Sequence, residues 1–286
     1  MKTSNKLLIA FAAALILLPI LGIAIVSGVY YEKENTTGGG TEMDTFGPVP
    51  KDMPAIAVST PFESVNIEGA DQFYLAVRLV QAEKTEVRYA ENLKGLISTT
   101  VDASGQLQIV LKKSDKQRDN YTRIWIYGPG IKKLNVVNGR GLNLNAKQDS
   151  LQLNLSSTGS GHFDPETNIG WLSVRTDKVG EISFRETATK SVNLELNGTN
   201  VKSEMSSFDN LSINAAGNAE IELNGGYDGV PEKSIKHLTL NTLGKAKVKV
   251  FNMQIEQCSG RFSDSTQVEM PAVNINQMYA PKNKTL

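Results

Sequence analysis

A phrase of about twenty residues repeats along the second half of the chain, a period typical of repeat proteins. In each copy, alternating apolar residues precede a glycine and further alternating apolar residues follow it. The glycines that mark the copies are Gly139, Gly159, Gly180, Gly198, Gly217, Gly244 and Gly260. Strict alternation indicates β-strands that are buried on one face. A fixed period of this length predicts a β-helix-like solenoid, in which each copy buries its apolar face only against its neighbours.

The marker glycines also suggest how the chain turns. Each lies between two short strands, so the pattern predicts backbone with positive φ at these positions. Asn138-Gly139 and Asn197-Gly198 are favoured hairpin dipeptides as well, so antiparallel hairpins in a twisted sheet are a second topology that fits them. The other marker glycines lack that dipeptide, which favours the parallel solenoid. The longer interval after Gly217 contains residues 225–231, GGYDGVP, and predicts an inserted loop.

Asparagines recur beside the apolar positions of the repeat. They are Asn143, Asn145, Asn154, Asn193, Asn214, Asn224 and Asn241. In a solenoid, stacked asparagine side chains would form hydrogen bonds from coil to coil. Asparagine is also common in turns because it tolerates left-handed backbone. The sequence alone leaves both explanations open.

The region before the repeat has longer alternating runs, such as Phe73, Leu75, Val77 and Leu79. Residues 56–131 are therefore predicted to form the N-terminal β-strand part of an all-β fold, and residues 132–270 its repetitive solenoid part. Ser104-Gly105 predicts a hairpin turn, and residues 90–97 are long enough for one or two helical turns. Residues 271–286 are predicted to be a C-terminal tail.

The amino terminus has a different character. The chain is uncharged from Leu7 to Tyr31, a run longer than the roughly 20 residues that cross a bilayer. Lys2 and Lys6 precede this run, and this charge bias keeps the short amino end in the cytoplasm. Residues 1–31 are thus predicted to be a single transmembrane anchor, with residues 7–31 contacting the lipid bilayer and the C-terminal body periplasmic or extracellular. Residues 26–28, VSG, would tolerate signal peptidase, so secretion after cleavage is the alternative.

Residues 32–55 follow this segment and contain a run of threonines and glycines and several prolines, with few large apolar side chains. Such a composition predicts a flexible tether. The chain has 30 basic and 30 acidic residues and a pI near 6.8, which gives no general attraction to nucleic acid. The lone Cys258 excludes an internal disulfide and a thiolate metal site, and no cofactor or metal is predicted.

Two stretches resemble a known family. Residues 62–69, FESVNIEG, and residues 157–161, STGSG, are similar to phrases of the DUF2807 family, the auto-transporter adhesin head GIN domain. The resemblance covers about residues 60–255. Several copies depart from its serine-glycine phrase, with Lys178 or Leu243 where serine is typical. The family implies an all-β, β-helix-like domain of the bacterial cell envelope and supplies no catalytic residue.

Motifs for nucleotide binding, serine hydrolases and zinc proteases are absent from the sequence. His162, His237 and Cys258 have no neighbour typical of a catalytic pair, so each is interpreted as structural. Solenoid enzymes can assemble carboxylates from adjacent coils, which makes several acids candidates. They are Asp149, Asp164, Glu166, Asp177, Glu181, Glu195 and Glu220. Solvent-facing strand positions alone would yield such a set.

A sugar-stacking patch is a further possibility for the aromatic residues of the first strands, although aromatics on half-buried strands usually belong to the core. They are Tyr74, Tyr89, Tyr121, Trp125 and Tyr127. The mixed-charge run at 112–119 is interpreted as a solvated loop. The leading hypothesis is a non-enzymatic, membrane-tethered envelope protein that binds an envelope glycan or protein. The alternatives are a polysaccharide-acting enzyme and a self-assembling scaffold.

Overall fold

The computed structural model describes residues 43–113, 121–227 and 233–279. The predicted membrane segment, residues 7–31, and the first part of the predicted tether lie outside these ranges. Among the residues that are described, no helix is both long and apolar enough to span a bilayer.

In the described ranges the fold is all-β apart from two short helical pieces. The N-terminal region contributes β1 (Met43–Asp44), β2 (Gly47–Pro48), β3 (Ala55–Ala57), β4 (Ser64–Glu68), β5 (Tyr74–Gln81), β6 (Glu86–Tyr89), β7 (Ile97–Val101), β8 (Gln106–Leu111) and β9 (Tyr121–Gly128). One turn of 3-10 helix covers Glu91–Leu93, within the range predicted for a helical turn.

The described part of the chain after residue 132 contributes thirteen more strands and one α-helix. They are β10 (Lys133–Val137), β11 (Gly141–Ser156), β12 (Ser160–Phe163), β13 (Asn168–Asp177), β14 (Glu181–Arg185), β15 (Ser191–Asn197), β16 (Asn200–Glu204), β17 (Phe208–Ala216), β18 (Ala219–Asn224), β19 (Lys233–Thr242), β20 (Ala246–Phe251), β21 (Met253–Arg261), β22 (Gln267–Glu269) and α1 (Ala272–Tyr279).

The strands of the repeat region alternate between two sheets and pair in parallel, which agrees with the predicted solenoid-like fold. Antiparallel pairs occur in the N-terminal region, between β3 and β6, β6 and β9, and β7 and β8. Sheet I has the order β7-β8-β4-β10-β11-β13-β15-β17-β19-β21. Sheet II has the order β3-β6-β9-β5-β11-β12-β14-β16-β18-β20-β22. The long strand β11 belongs to both, and each later coil adds one strand to each sheet. The parallel pairing rules out antiparallel hairpins at Asn138-Gly139 and Asn197-Gly198.

The core consists of columns of apolar side chains that run from coil to coil. In sheet I, Leu151, Leu172, Val192, Leu211 and Leu238 occupy equivalent positions, and all are buried. Each such side chain stabilises the fold by about 1.5–3 kcal/mol when it is removed from water. Because the neighbours in a column belong to different coils, a single coil cannot gain this burial alone.

The prediction of positive φ at every marker glycine is wrong for several of them. Gly198 and Gly217 have positive φ, but Gly139, Gly159, Gly180 and Gly244 do not. In three coils the residue in the left-handed region comes one or two positions earlier and is not a glycine: Asn138, Ser157 and Lys178. Gly260 lies inside β21 and not at a turn, although its φ is positive.

Close approach between coils is the reason for two of these glycines. A Cβ at Gly159 would lie 2.3 Å from the carbonyl oxygen of Arg140, and one at Gly180 would lie 2.6 Å from that of Gly159. The N–H of Gly159 donates to the oxygen of Gly139, and that of Gly180 donates to the oxygen of Gly159, each at 3.0 Å. The backbone hydrogen-bond ladder therefore continues through the turns, where a side chain would separate the coils.

The asparagine ladder forms on the outer face of sheet I. Asn154 Nδ2 donates to Asn135 Oδ1 at 2.7 Å, and Asn241 Nδ2 donates to Asn214 Oδ1 at 2.7 Å. Asn214 in turn donates to Glu195 Oε1 at 2.9 Å. Stacking between coils is thus confirmed for Asn154, Asn214 and Asn241.

Residues 43–53, here called the N-terminal clasp, differ from the flexible tether predicted for this part of the chain. Val49 and Met53 are buried against Trp125 and Tyr127 of sheet II. The guanidinium of Arg78 lies 4.3 Å from the ring centroid of Trp125 and 4.5 Å from that of Phe46 in the clasp. Apolar burial and cation–π contacts therefore hold the clasp on the outer face of the sheet.

The segment predicted as a C-terminal tail contains α1, which covers the last strand of sheet I. Asn274 Nδ2 donates to the Ile255 oxygen at 3.3 Å, and Gln277 Nε2 donates to the Glu256 oxygen at 3.0 Å. The Cys258 N–H donates to Gln277 Oε1 at 2.9 Å. These side chains take up backbone groups that the next coil would otherwise bind, so α1 protects an edge that could pair with another chain.

We predict that Gly159→Ala lowers the free energy of unfolding by about 1–3 kcal/mol, because the new Cβ would clash with the Arg140 carbonyl and displace it. Gly130→Ala is the matched control, since a Cβ there meets no atom within 4 Å. Urea unfolding of both variants measures the difference. Equal midpoints would contradict the role of close approach.

The clasp generates a second prediction. Met53→Asp places a carboxylate in an apolar contact and should weaken docking by about 2–5 kcal/mol. In a Trp171→Phe background, Trp125 is the remaining tryptophan, and its fluorescence should shift to longer wavelength when the clasp leaves. Lys51→Asp, at an exposed clasp position, should cause no shift. An unchanged spectrum for Met53→Asp would show that the clasp does not protect Trp125.

Candidate functional site

A groove of about 720 Å³ lies on the outer face of sheet II. It crosses β9, β5, β11, β12, β14 and β16, so consecutive coils supply its floor. The residues that line it are Tyr74, Leu75, Tyr121, Leu142, Asn143, His162, Phe163, Asp164, Pro165, Glu181, Ser183, Phe184, Arg185, Glu186, Lys202 and Glu204. We name this feature the sheet II groove.

The register of the strands explains why the surface is concave here. Tyr74 of β5 is paired with Tyr121 of β9 on one side and with Gly141 of β11 on the other. On the next strands Ser160 is paired with Glu181, and His162 is paired with Ser183. Gly141 has no side chain and Ser183 has a short one, so a depression forms beside the two tyrosines.

The two tyrosines form the aromatic wall of the groove. Tyr74 is 41% exposed and Tyr121 is 56% exposed, whereas most aromatic side chains of these strands are buried. A Cβ at Gly141 would lie 2.5 Å from the Tyr74 ring, so the ring lies directly over the glycine backbone. The Arg140 guanidinium is 4.9 Å from the centroid of the same ring. The Tyr74 ring is thereby held against the sheet with part of its surface open to solvent.

Polar side chains form the opposite side. His162 Nδ1 and Ser183 Oγ are 2.5 Å apart. Lys202 Nζ lies 2.8 Å from Glu204 Oε1, and this hydrogen bond raises the pKa of the lysine above its ordinary value. The ion pair is partly exposed, so it contributes at most a fraction of a kcal/mol to stability. Its main effect is to fix both charged groups at the edge of the groove.

The seven acids predicted as candidates do not converge on one site. Only Asp164 and Glu181 line the groove. Glu166 and Glu195 accept hydrogen bonds from asparagines on different sheets, and Glu220 pairs with Lys249 at 3.0 Å. Asp177 accepts a hydrogen bond from Asn197, and Asp149 lies in β11 where it passes through sheet I.

The groove also contains residues that the sequence did not single out. The polar ones are Ser183, Arg185, Glu186, Lys202 and Glu204, which line the groove together with Asn143. Their positions follow from the register, in which Ser183 pairs with Lys202, and Arg185 with Glu204. The period of the repeat would have aligned them approximately, because these pairs are 19 residues apart, but it could not say which face carries a depression.

The residues interpreted as structural lie in separate places. Cys258 is buried in β21, and burial raises the pKa of its thiol to about 11, so the thiol is protonated at neutral pH. A protonated thiol is a poor nucleophile. His237 is exposed on sheet I, far along the chain from the groove strands. Within the described part of the chain, no group of three or more His, Cys, Asp or Glu is arranged to hold a metal ion.

The five aromatic residues named as a possible sugar-stacking patch fall into two groups, one buried and one exposed. Trp125 and Tyr127 are buried beneath the clasp, and Tyr89 packs against the main core, as expected for aromatics on half-buried strands. The Tyr127 hydroxyl donates to Asp44 Oδ2 at 2.7 Å, and burial together with this bond raises the pKa of the phenol. Only Tyr74 and Tyr121 present their rings to the sheet II groove.

The outer face of sheet I offers a contrast. Ser173, Asn193, Ser212, Thr239 and Ser259 form one of its outward rows. Such a row of short polar side chains is flat. The exposed Trp171 on the same sheet is 43% accessible, similar to Tyr74, and it provides a reference aromatic outside the groove.

Comparison with known proteins gives the family. The model of the family described as "Putative auto-transporter adhesin, head GIN domain" matches residues 61–228, more than half of the chain. The chain therefore belongs to this family, as its residues suggested. The matched region includes every strand that lines the groove.

Several solved structures resemble this chain at low sequence identity. A "Putative lipid binding protein" from Parabacteroides distasonis has 16% identity and a TM-score of 0.43, with 77% of this chain and 94% of that chain covered. A "putative adhesin" from Bacteroides fragilis has 16% identity and a TM-score of 0.39, with 77% and 97% covered. No curated protein matches the sequence.

Proposed function

We propose that this protein is a non-enzymatic binding protein of the bacterial cell envelope, tethered to the membrane and holding its β-solenoid outside the cytoplasm. The observation that supports this most strongly is the sheet II groove, where two exposed tyrosines lie opposite a polar wall. Concave sites with a few convergent polar groups are the usual places for ligand binding. Membership of an adhesin-head family agrees with such a role.

The tether is part of the proposal. The uncharged run at 7–31 is long enough to cross a bilayer, and the lysines before it favour a cytoplasmic amino end. Residues 32–42 would then separate the membrane from the clasp. The clasp fixes where the chain enters the solenoid, because its contacts with Arg78 and Trp125 lie on sheet II.

One contact favours an enzyme as the second candidate. Ser183 Oγ and His162 Nδ1 are close enough for a nucleophile and its base. Catalysis of this kind also needs donors that stabilise a developing oxyanion. The backbone around Ser183 is occupied in the ladders between β12, β14 and β16, which leaves these N–H groups committed to the sheet. Binding is therefore the better supported function.

The scaffold alternative receives less support. End-to-end stacking requires open strand edges at both ends of the solenoid. At one end, α1 covers β21 with side-chain hydrogen bonds. At the other end, β3 and β7 are outermost and pair antiparallel with their neighbours, which departs from the parallel coil geometry.

We predict that the full chain, purified in detergent, sediments with isolated cell-envelope fragments, so that its amount in the supernatant falls. The chain unfolded in urea and then diluted with the fragments serves as the control for non-specific adhesion. Reducing sugar released from the fragments should stay at background and be unchanged by Ser183→Ala. Failure to sediment would contradict a binding function, and Ser183-dependent release of sugar would establish the enzyme instead.

A further inference from the structure

We propose that the ligand of the sheet II groove is an uncharged glycan, whose pyranose rings stack on Tyr74 and Tyr121. This rests on the proposed function, since it names the envelope component that the protein binds. Three features of the groove support this assignment: its aromatic wall, its polar wall and its charge.

The aromatic wall suits a sugar ring. Tyr74 and Tyr121 are paired on neighbouring parallel strands, so their backbones lie about 4.8 Å apart. A pyranose has apolar C–H groups on its faces and hydroxyls at its edge. The electron-rich face of an aromatic ring attracts such C–H groups, while the edge hydroxyls remain free to form hydrogen bonds.

The Tyr74 ring is prepared for this contact before any ligand arrives. The bare backbone of Gly141 lets the ring lie against β11, and the Arg140 guanidinium lies 4.9 Å from the ring centroid. A fixed ring loses little conformational entropy on binding, which improves affinity without additional contacts. Gly141 therefore makes room for the Tyr74 ring, which a residue with a side chain at this strand position would not do.

The polar wall can receive the hydroxyls of the sugar. Asn143, His162, Ser183 and Glu181 supply both donors and acceptors beside the tyrosines. Asn143 Oδ1 has no hydrogen-bond partner among the described residues but is closed to solvent. The partly or fully exposed side chains of His162, Ser183 and Glu181 are therefore the ones that a sugar hydroxyl can reach.

The charge of the lining selects against anionic polymers. Four carboxylates line the groove, those of Asp164, Glu181, Glu186 and Glu204, against the two cations Arg185 and Lys202. One of these cations is already paired with Glu204. Like charges brought together at an interface reduce affinity, so uronic acid polymers should bind poorly. An acyl chain laid in the groove would also take these charged groups out of water, which costs free energy and makes a lipid tail a poor fit.

Calorimetric titration of the full chain tests the proposal, in a detergent without a sugar head group. The probes are hexamers of N-acetylglucosamine, of glucose linked β-1,4 and of mannose, with a galacturonate hexamer as the anionic comparison. At least one neutral hexamer should bind, and the galacturonate hexamer should bind at least about tenfold more weakly. Tyr74→Ala and Tyr121→Ala should each weaken neutral binding by about tenfold.

Two controls separate stacking from general effects. Tyr121→Phe keeps the ring and should retain most of the affinity. Trp171→Ala removes an aromatic of similar exposure from sheet I and should change nothing. Thermal unfolding of each variant establishes that the fold is intact.

The outcomes distinguish this inference from the proposed function. If the chain sediments with envelope fragments but no neutral hexamer binds, the envelope-binding function stands and the glycan assignment is wrong. If neutral hexamers bind equally well to the two tyrosine variants, or if the galacturonate hexamer binds best, the assignment to this groove is overturned. If the chain binds neither fragments nor hexamers, both proposals fall.

Discussion

The in-register stacking of parallel coils is the constraint on which the rest of this structure depends. Apolar columns such as Leu172, Val192 and Leu211 are buried only because the same position recurs in each coil. The backbone ladder continues through the turns at Gly159 and Gly180, where a Cβ would meet a carbonyl of the preceding coil. Burial, turn geometry and outer-face rows therefore all follow from one register.

The sequence predicted the all-β class because the alternation of apolar residues is a local signal. It predicted the parallel arrangement because the phrase recurs at a fixed period and most marker glycines lack a hairpin dipeptide. It did not predict α1, because residues 272–279 contain two asparagines and the β-branched Val273 and Ile275, which are weak helix formers. Tertiary contacts with β21 supply the stability that propensity does not. The clasp was missed for a similar reason: Val49 and Met53 are isolated in sequence, and only the sheet brings Trp125 beneath them.

The candidate site was predictable only in part. The sequence marked Tyr74, Tyr121, His162, Asp164 and Glu181, but it also marked residues that proved to be buried or distant. Two facts were missing. Exposure separates Tyr74 and Tyr121 from Trp125 and Tyr127, and it depends on where the clasp docks. The depression depends on Gly141, whose importance is visible only when the Tyr74 ring is placed above it.

The central claim is that coil stacking places two exposed tyrosine rings, of which Tyr74 is held over Gly141, where a neutral sugar can stack. Saturation-transfer difference NMR with the full chain and the tightest-binding neutral hexamer tests it most directly. Irradiation of the aromatic protons should transfer saturation mainly to the ring C–H protons of the sugar, and the Tyr74→Ala, Tyr121→Ala double variant should abolish the transfer. Transfer that persists in the double variant, or that disappears only in Trp171→Ala, would contradict the account.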